Sequence, residues 1–170
     1  MTERPRRLLL VAGSLDAGDA TTRLLAAATT MPGPFAEIRW ADVAPLPLYD
    51  TAAPRNDAVA ALLADAAWAD ALLVGVPEHH GGPAARTKNL LDWLATAPVE
   101  RPAGIAVAGS AARDPRALRG AFLRAGLGLV DPVVAAPDET AFDDGLLVDP
   151  VIRRSIALQL EALAAAGRED

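Results

Sequence analysis

The two histidines of this 170-residue chain, His79 and His80, are adjacent and follow Glu78. An imidazole titrates near neutral pH and serves as a general acid or base, so His79 and His80 are the candidate catalytic residues. A metal site made of both histidines and Glu78 is disfavoured, because adjacent histidines in an extended loop point in different directions and no third ligand is identifiable. A plainer interpretation stays open, in which both histidines occupy a loop without catalytic duty.

The histidines lie between a predicted buried strand and a predicted amphipathic helix. Residues 71–76 are continuously apolar, as in the strands of a parallel sheet, and helix-type spacing begins at Ala84. In an open α/β sheet, ligands bind in the loops that leave the carboxyl ends of the strands. We therefore expect the protein to act at the loop of residues 77–83.

Strand and helix patterns alternate along residues 1–170, which predicts one α/β domain with a parallel sheet covered on both faces. The predicted strands are residues 7–12, 35–40, 71–76, 103–108 and 130–135, with Pro132 inside the last of them. The predicted helices are residues 20–30, 57–68, 84–96, 114–126 and 149–166, and the last two begin at Asp-Pro pairs. Right-handed crossovers give five parallel strands in the order 2-1-3-4-5.

A second candidate site is the loop after the first predicted strand, residues 13–19. Free backbone N–H groups and the positive end of a helix bind anions at such a loop. Here the loop carries Asp16 and Asp19, and each carboxylate repels a phosphate by on the order of 1 kcal/mol when partly solvated. Asp19 also occupies the N-cap position, where its carboxylate can bond the first N–H groups of the helix.

Three segments of the chain resemble the NADPH-dependent FMN reductase family. Residues 77–93 are similar to its PEYN, LKN and LDW motifs, and the matching positions are Pro77, Glu78, Gly81, Lys88, Asn89, Leu91, Asp92 and Trp93. His79 and His80 replace the Tyr and Asn of the first motif. Residues 13–15 are similar to the family's phosphate loop, and residues 45–50 to its Leu-Pro-x-Tyr connection. The segments follow one another in the family's order and cover roughly residues 8–130.

The resemblance implies a flavodoxin-like three-layer sandwich. It also implies an oxidoreductase that uses FMN, with NADPH or NADH as the electron donor, to reduce free flavin, a quinone or a similar small acceptor. The pocket would be completed by a partner subunit in a homodimer or homotetramer. The implied cofactor-binding residues are Ser14, Thr21 and Thr22 at the phosphate, Pro77, Glu78, His79, His80 and Gly81 at the ring edge, and Gly109 and Ser110 on the opposite side.

The phosphate loop departs from the family pattern. Asp16 stands in place of an Arg, Asp19 in place of a second Ser, and Thr21 in place of an Asn. We therefore predict that FMN affinity is weakened or lost. An alternative stays open, in which Asp16 points to solvent while Ser14, the two threonines and Arg23 hold the phosphate.

A rival function also follows from these departures. A divergent member of the family can keep the scaffold and lose the cofactor, because a fold does not fix a function. Such a protein would be a non-redox enzyme acting through His79 or His80, or a ligand-binding or accessory protein. No Gly-x-Ser-x-Gly or Gly-x-Gly-x-x-Gly motif occurs, so a hydrolase and a Rossmann-type dinucleotide site have little support.

The composition of the chain excludes some kinds of partner and some kinds of site. A net charge of −6 argues against nucleic acid or an anionic membrane as the main partner, which favours a small-molecule substrate. The absence of cysteine excludes a disulfide frame, a thiolate nucleophile and a Cys-ligated metal. No apolar run approaches the length of a membrane span, so we expect a cytoplasmic protein.

Several motif residues have the spacing of a structural helix. The predicted buried stripe consists of Leu90, Leu91 and Leu94. Lys88 and Asp92 lie four residues apart and can pair on the exposed face or across a dimer contact. Trp40 and Trp68 are predicted to be packing residues.

Overall fold

Parallel strands form the central sheet of the computed structural model, which describes residues 5–52, 55–80, 82–97, 100–108, 116–136 and 139–167. The strands are β1 (Arg7–Ala12), β2 (Glu37–Trp40), β3 (Ala71–Val76), β4 (Glu78–His79), β5 (Gly82–Pro83), β6 (Pro102–Ala108), β7 (Gly128–Leu129), β8 (Val134–Ala136), β9 (Phe142–Asp143) and β10 (Leu146–Leu147). The helices are α1 (Ala20–Thr30), α2 (Asp57–Trp68), α3 (Ala85–Leu94), α4 (Arg116–Arg124) and α5 (Pro150–Ala166). The predicted start of the fourth helix at Asp114 lies outside the described residues.

The strand order of the main sheet is β2-β1-β3-β6-β7, and β8 also pairs with β6. All of these pairs are parallel. Counted in the sequence numbering of the predicted strands, this order is 2-1-3-4-5. The predicted α/β class and strand order are therefore confirmed.

The sheet is buried on both faces. In β1, Leu8 and Leu10 face one core while Leu9 and Val11 face the other, because successive side chains of a strand point to opposite faces. The first core is closed by α1 and α5, and the second by α2, α3 and α4. The predicted stripe of Leu90, Leu91 and Leu94 is confirmed, since all three side chains are buried in the second core.

The predicted fifth strand, residues 130–135, is wrong as a continuous strand. Its sheet position is shared by β7, which pairs with the start of β6, and β8, which pairs with its end. Pro132 lies between them, and a proline has no N–H to donate to the ladder. The gap is bridged from α5, where the buried Gln159 side chain donates to the carbonyl oxygens of Ile105 at 3.2 Å and Pro132 at 2.7 Å.

The second predicted strand is shorter than expected, and one of its aromatic residues is not a packing residue. The strand begins at Glu37 rather than residue 35, and its last residue, Trp40, is 44% exposed. β2 is the edge strand of the sheet, so its end is covered less than the inner strands. Trp68 does pack, and its ring lies under the guanidinium groups of Arg7 and Arg39, 5.4 and 3.9 Å from the ring centroid.

Two short hairpins escaped prediction. β9 and β10 are joined by Asp144 and Gly145, both with positive φ, and an Asp-Gly pair is a recognised signal for such a turn. β4 and β5 form the other hairpin, inside the predicted histidine loop. Within the described ranges, no helix combines the length and hydropathy needed to cross a bilayer.

Candidate functional site

The carboxyl ends of β1 and β3 meet at Gly13. The Gly13 N–H donates to the carbonyl oxygen of Gly75 at 2.8 Å, which ties the loop after β1 to the neighbouring strand. A Cβ on Gly13 would lie 2.6 Å from that same oxygen and 2.8 Å from Pro77 Cδ, and it would also collide with Thr87 Oγ1. Only a glycine allows this approach. The β1–α1 loop (residues 13–19) and the chain after β3 are thus in direct contact.

The β1–α1 loop supplies acceptors for its own N–H groups. The Asp16 N–H donates to Ser14 Oγ at 3.1 Å, and the Gly18 N–H donates to Asp16 Oδ1 at 2.8 Å. The Asp19 N–H donates to the Asp16 carbonyl oxygen at 3.1 Å. At the start of α1, the Thr21 N–H donates to Asp19 Oδ1 at 2.8 Å, as expected for an N-cap residue. The predicted capping role of Asp19 is confirmed.

The threonines predicted to hold a phosphate differ in environment. Thr21 is 1% exposed, and its hydroxyl donates to the Asp19 carboxylate. Thr22 is half-buried, and its Oγ1 atom is buried without a hydrogen-bond partner. Thr22 therefore keeps an unused hydroxyl, whereas the hydroxyl of Thr21 is already engaged.

A cleft of about 200 Å³ lies between the β1–α1 loop and the segment that follows β2. Its lining residues include Ser14, Asp16, Thr22, Trp40, Asp42 and Val43. The structure thus brings together two of the predicted site residues, Ser14 and Thr22. Trp40 and Asp42 were not predicted, and their position at the carboxyl end of an edge strand was the signal that could have found them. No Lys or Arg is among the residues described as lining this cleft.

Arg23, the cation nearest in sequence to the loop, is engaged elsewhere. Its guanidinium pairs with the Glu139 carboxylate and lies 4.1 Å from the centre of the Phe142 ring. The positive charge of Arg23 is therefore balanced by a carboxylate from the segment after β8.

The described part of the histidine loop is a short antiparallel hairpin, called here the histidine hairpin (residues 78–80 and 82–83). Glu78 pairs with Pro83 and His79 with Gly82, and the hairpin is closed at its base by the Ala84 N–H, which donates to the Pro77 carbonyl oxygen at 2.9 Å. Both imidazoles are exposed to solvent.

His80 stands at the turn of this hairpin with φ of +55°, in the left-handed region. His79 and His80 do not line the cleft beside Ser14 and Thr22. Gly81, Gly109 and Ser110, the remaining predicted site residues, lie outside the described residues. The proposed catalytic and cofactor-binding roles of the histidines therefore stay predictions.

The motif residues of α3 are structural. The Asn89 side chain donates to the Pro47 carbonyl oxygen at 2.9 Å and accepts from the Tyr49 N–H at 2.6 Å. Trp93 Nε1 donates to the same Pro47 oxygen at 2.9 Å. The predicted pairing of Lys88 with Asp92 on one face of the helix is confirmed.

No group of three or more potential metal-binding side chains occurs among the described residues. The polar loops at the strand ends carry hydroxyl groups, carboxylates and backbone hydrogen-bonding groups, which are the kinds of group that can bind a polar organic ligand.

Comparison with known proteins decides the family. A sequence model described as NADPH-dependent FMN reductase matches residues 6–138. The chain belongs to this family. Its closing hairpin β9–β10 and α5 lie beyond the matched residues.

Individual relatives agree with this assignment. The family member described here is 31% identical to an NAD(P)H-dependent FMN reductase of Pseudomonas aeruginosa, and the match covers 92% of each chain. Its fold is similar to that of the flavoenzyme NAD(P)H:(acceptor) oxidoreductase FerB from Paracoccus denitrificans, with a TM-score of 0.76, 18% identity, and 95% and 98% of the two chains covered. It is also similar to a flavodoxin, WrbA-like protein from Agrobacterium tumefaciens, with a TM-score of 0.59, 20% identity, and 96% and 98% covered.

Membership makes the chain an NAD(P)H-dependent oxidoreductase and implies the use of FMN and NAD(P)H. The β1–α1 loop of this FMN reductase family member does not fit a doubly charged phosphate, however. Its N–H groups at Asp16, Gly18, Asp19 and Thr21 already have acceptors, and two of those acceptor side chains are carboxylates. A phosphate dianion only accepts hydrogen bonds, so it could reach these four N–H groups only by displacing their present acceptors.

Proposed function

We propose that this protein is an NAD(P)H-dependent flavin reductase that passes electrons to free flavin, a quinone or a similar small acceptor. The observation that carries the proposal is the family match over residues 6–138, which spans the strands whose carboxyl ends converge at Gly13. A flavin, when bound, would supply two-electron transfer between nicotinamide and acceptor, and the protein would supply orientation, electrostatics and exclusion of competing reactions.

The histidine hairpin is the part of the chain that we propose to bind the flavin ring edge. Its backbone is fixed by the β4–β5 pairs and by the bond from Ala84 to Pro77, so its outer N–H and C=O groups are held in place. Rigid backbone groups orient a polar ring edge at little entropic cost. Glu78 would stabilise the hairpin, and the exposed His79 and His80 would stand beside the ring.

We propose that His79 or His80 donates a proton to the reduced acceptor. Both imidazoles are exposed, so either can reach a substrate that arrives from solvent. An imidazole near its own pKa both delivers a proton and recovers it from water. The competing explanation is that only the shape of the hairpin matters.

The proposed activity is tested by following NAD(P)H oxidation with riboflavin, FMN and a water-soluble quinone as acceptors. Oxidation that depends on added flavin is the expected result. If no combination of nicotinamide and acceptor gives turnover, the proposal is wrong. NADH and NADPH are compared in the same assay, because the described residues do not discriminate between them.

The proton-donor role is tested by His79→Tyr and His80→Asn, separately and together. His80→Asn is a matched change, because Asn tolerates the left-handed backbone at residue 80 while lacking an acid of suitable strength. We expect turnover with a quinone to fall in the variant that lacks the proton donor and to fall furthest in the double variant. Unchanged turnover in the double variant would leave only the shape of the hairpin as its contribution.

We also propose that the protein works as a homodimer or homotetramer. Large apolar side chains are exposed beside the helices of the second core, including Leu48 at 85% and Leu123 at 61%. Such side chains are commonly covered in an assembly. Light scattering during size-exclusion chromatography measures the mass in solution, and a monomer at micromolar concentration would contradict this proposal.

A further inference from the structure

Resting on the proposed function, we propose that the flavin preferred by this site is one without a terminal phosphate. Riboflavin, whose side chain ends in a hydroxyl group, would then bind at least as tightly as FMN. The inference comes from the disagreement between the β1–α1 loop and the phosphate that family membership implies.

The position of the flavin side chain follows from the fold. In sheets of this strand order, a flavin lies where the direction of strand addition reverses, which here is between β1 and β3. Its side chain then ends at the loop after β1, before the amino end of α1. In this chain that place is the β1–α1 loop, anchored by Gly13 to β3.

Four of the N–H groups that a phosphate could use are already bonded. The N–H groups of Gly18 and Thr21 donate to the carboxylates of Asp16 and Asp19, each at 2.8 Å. Those of Asp16 and Asp19 donate to Ser14 Oγ and the Asp16 carbonyl oxygen, each at 3.1 Å. A phosphate would replace bonds to charged acceptors, which are the stronger kind.

The charges near the β1–α1 loop also disfavour a phosphate. Asp16 belongs to this loop, and Asp42 lies across the adjoining cleft on the β2 side of the loop. Arg23, which could have neutralised them, pairs with Glu139 and stacks on Phe142. A doubly charged group would therefore enter between carboxylates, with no Lys or Arg among the described residues that line the cleft.

A flavin side chain that ends in a hydroxyl group can form hydrogen bonds in this site without charge repulsion. The carboxylate oxygens of Asp16 can accept a hydrogen bond from it, and the Ser14 hydroxyl group in the same cleft can donate to it. An uncharged side chain pays no electrostatic penalty beside these carboxylates. The same groups that disfavour a phosphate thus complement a hydroxyl end.

The decisive measurement is equilibrium titration of the full-length protein with riboflavin and with FMN, followed by quenching of flavin fluorescence, without nicotinamide. We expect riboflavin to bind at least as tightly as FMN. We also expect FMN affinity to increase with ionic strength while riboflavin affinity stays constant, because salt screens only the charged ligand. FMN binding at least tenfold tighter than riboflavin overturns the inference but leaves the proposed function intact. Failure to bind either flavin, together with no NAD(P)H oxidation, overturns both.

Two variants separate charge from shape. Asp16→Asn keeps the side-chain oxygen that accepts from Gly18, and Asp19→Ser keeps an N-cap for α1. Each should tighten FMN binding by about fivefold, the factor equivalent to removing one such repulsion, whereas neither should tighten riboflavin binding.

Asp50→Asn is the matched control. Asp50 also accepts from the N–H two residues ahead, at Ala52, and loses the same charge, but it does not line the cleft. We expect this control to leave the ratio of the two affinities as in the unaltered protein. Equal changes in all three variants would contradict a local charge effect and overturn the inference.

Discussion

His80 has a backbone conformation that limits which side chains can be placed there without strain. A φ of +55° is reached by glycine and asparagine with little cost, but a β-branched side chain is strained there by about 1–2 kcal/mol. His80→Val is therefore expected to lower the free energy of unfolding by about that amount, and His80→Asn to leave it unchanged.

The adjacent residue gives the control for this prediction. His79 is equally exposed but lies in the extended strand β4, where valine is favoured. His79→Val is thus expected to be neutral in urea unfolding. If both valine variants lose the same stability, the loss does not come from the left-handed backbone of His80.

Gly104 is a second residue at which the surrounding space limits the side chain that the fold can accommodate. A Cβ there would lie 2.7 Å from Cδ of the buried Gln159 and 2.9 Å from its Nε2. Gly104→Ala should therefore cost about 1–3 kcal/mol of stability, as for other overpacked cores, since Gln159 has to leave its two carbonyl acceptors.

The comparison for Gly104 is Gly128 on β7, where the nearest atom to a new Cβ would be 3.9 Å away. We expect Gly128→Ala to lie within about 0.5 kcal/mol of the unaltered protein. Thermal unfolding of both variants measures the difference. A similar loss at Gly128 would show that β-strand glycines in general, rather than the Gln159 contact, set the cost.

At the scale of elements, α1 combines a structural and a functional role in one residue. Asp19 caps the helix, so Asp19→Ala should destabilise the protein by about 0.5–2 kcal/mol. Because the same change frees the Thr21 N–H and removes a negative charge, FMN affinity should rise while stability falls.

Helix α2 supplies the control for these opposite effects. Asn56 caps it through a 3.0 Å bond from the Val59 N–H. Asn56→Ala is expected to lose comparable stability with no change in FMN affinity. An increase of FMN affinity in both variants would mean that destabilisation itself opens the site, and would contradict the proposed role of the Asp19 charge.

The elements also show what a sequence can predict and what it cannot. The inner strands could be predicted because short, continuously apolar runs such as residues 71–76 are typical of buried strands in a parallel sheet. The division of the fifth strand was missed, because it depends on Gln159 of α5 reaching Ile105 and Pro132, a contact that no local pattern encodes.

The same limit applies to the candidate site. The acidic loop and the capping role of Asp19 could be predicted from the sequence, since both follow from residue types at the start of a helix. The engagement of Arg23 was not, because Glu139 lies 116 residues further along the chain. The histidine hairpin was also hidden, because strands of two residues carry no periodicity.

At the scale of the whole molecule, the last helix lies beyond the residues that match the family but covers part of the sheet. Residues 6–138 match the family, yet one face of the sheet is covered by α1 together with α5, which begins at Pro150. Ile156 of α5 is 1% exposed in that core, so Ile156→Ala should cost about 2–5 kcal/mol.

Leu158 tests whether this cost comes from closing the core. It lies on the same helix but is 45% exposed, and Leu158→Ala is expected to change stability by less than about 1 kcal/mol. Urea unfolding of the two variants gives the comparison. A small effect at Ile156 would indicate that the sheet face does not depend on α5 for its stability.

The anchoring of the β1–α1 loop by Gly13 has a consequence for how such a protein evolves. The backbone of the loop is tied to β3 by the bond from Gly13 to Gly75, whereas the hydrogen bonds described for its acidic side chains go to atoms of the loop and of the first turn of α1. Asp and Asn codons differ by a single nucleotide. A lineage can therefore exchange the charge of this loop in single mutational steps, each of which leaves a folded protein on which selection can act.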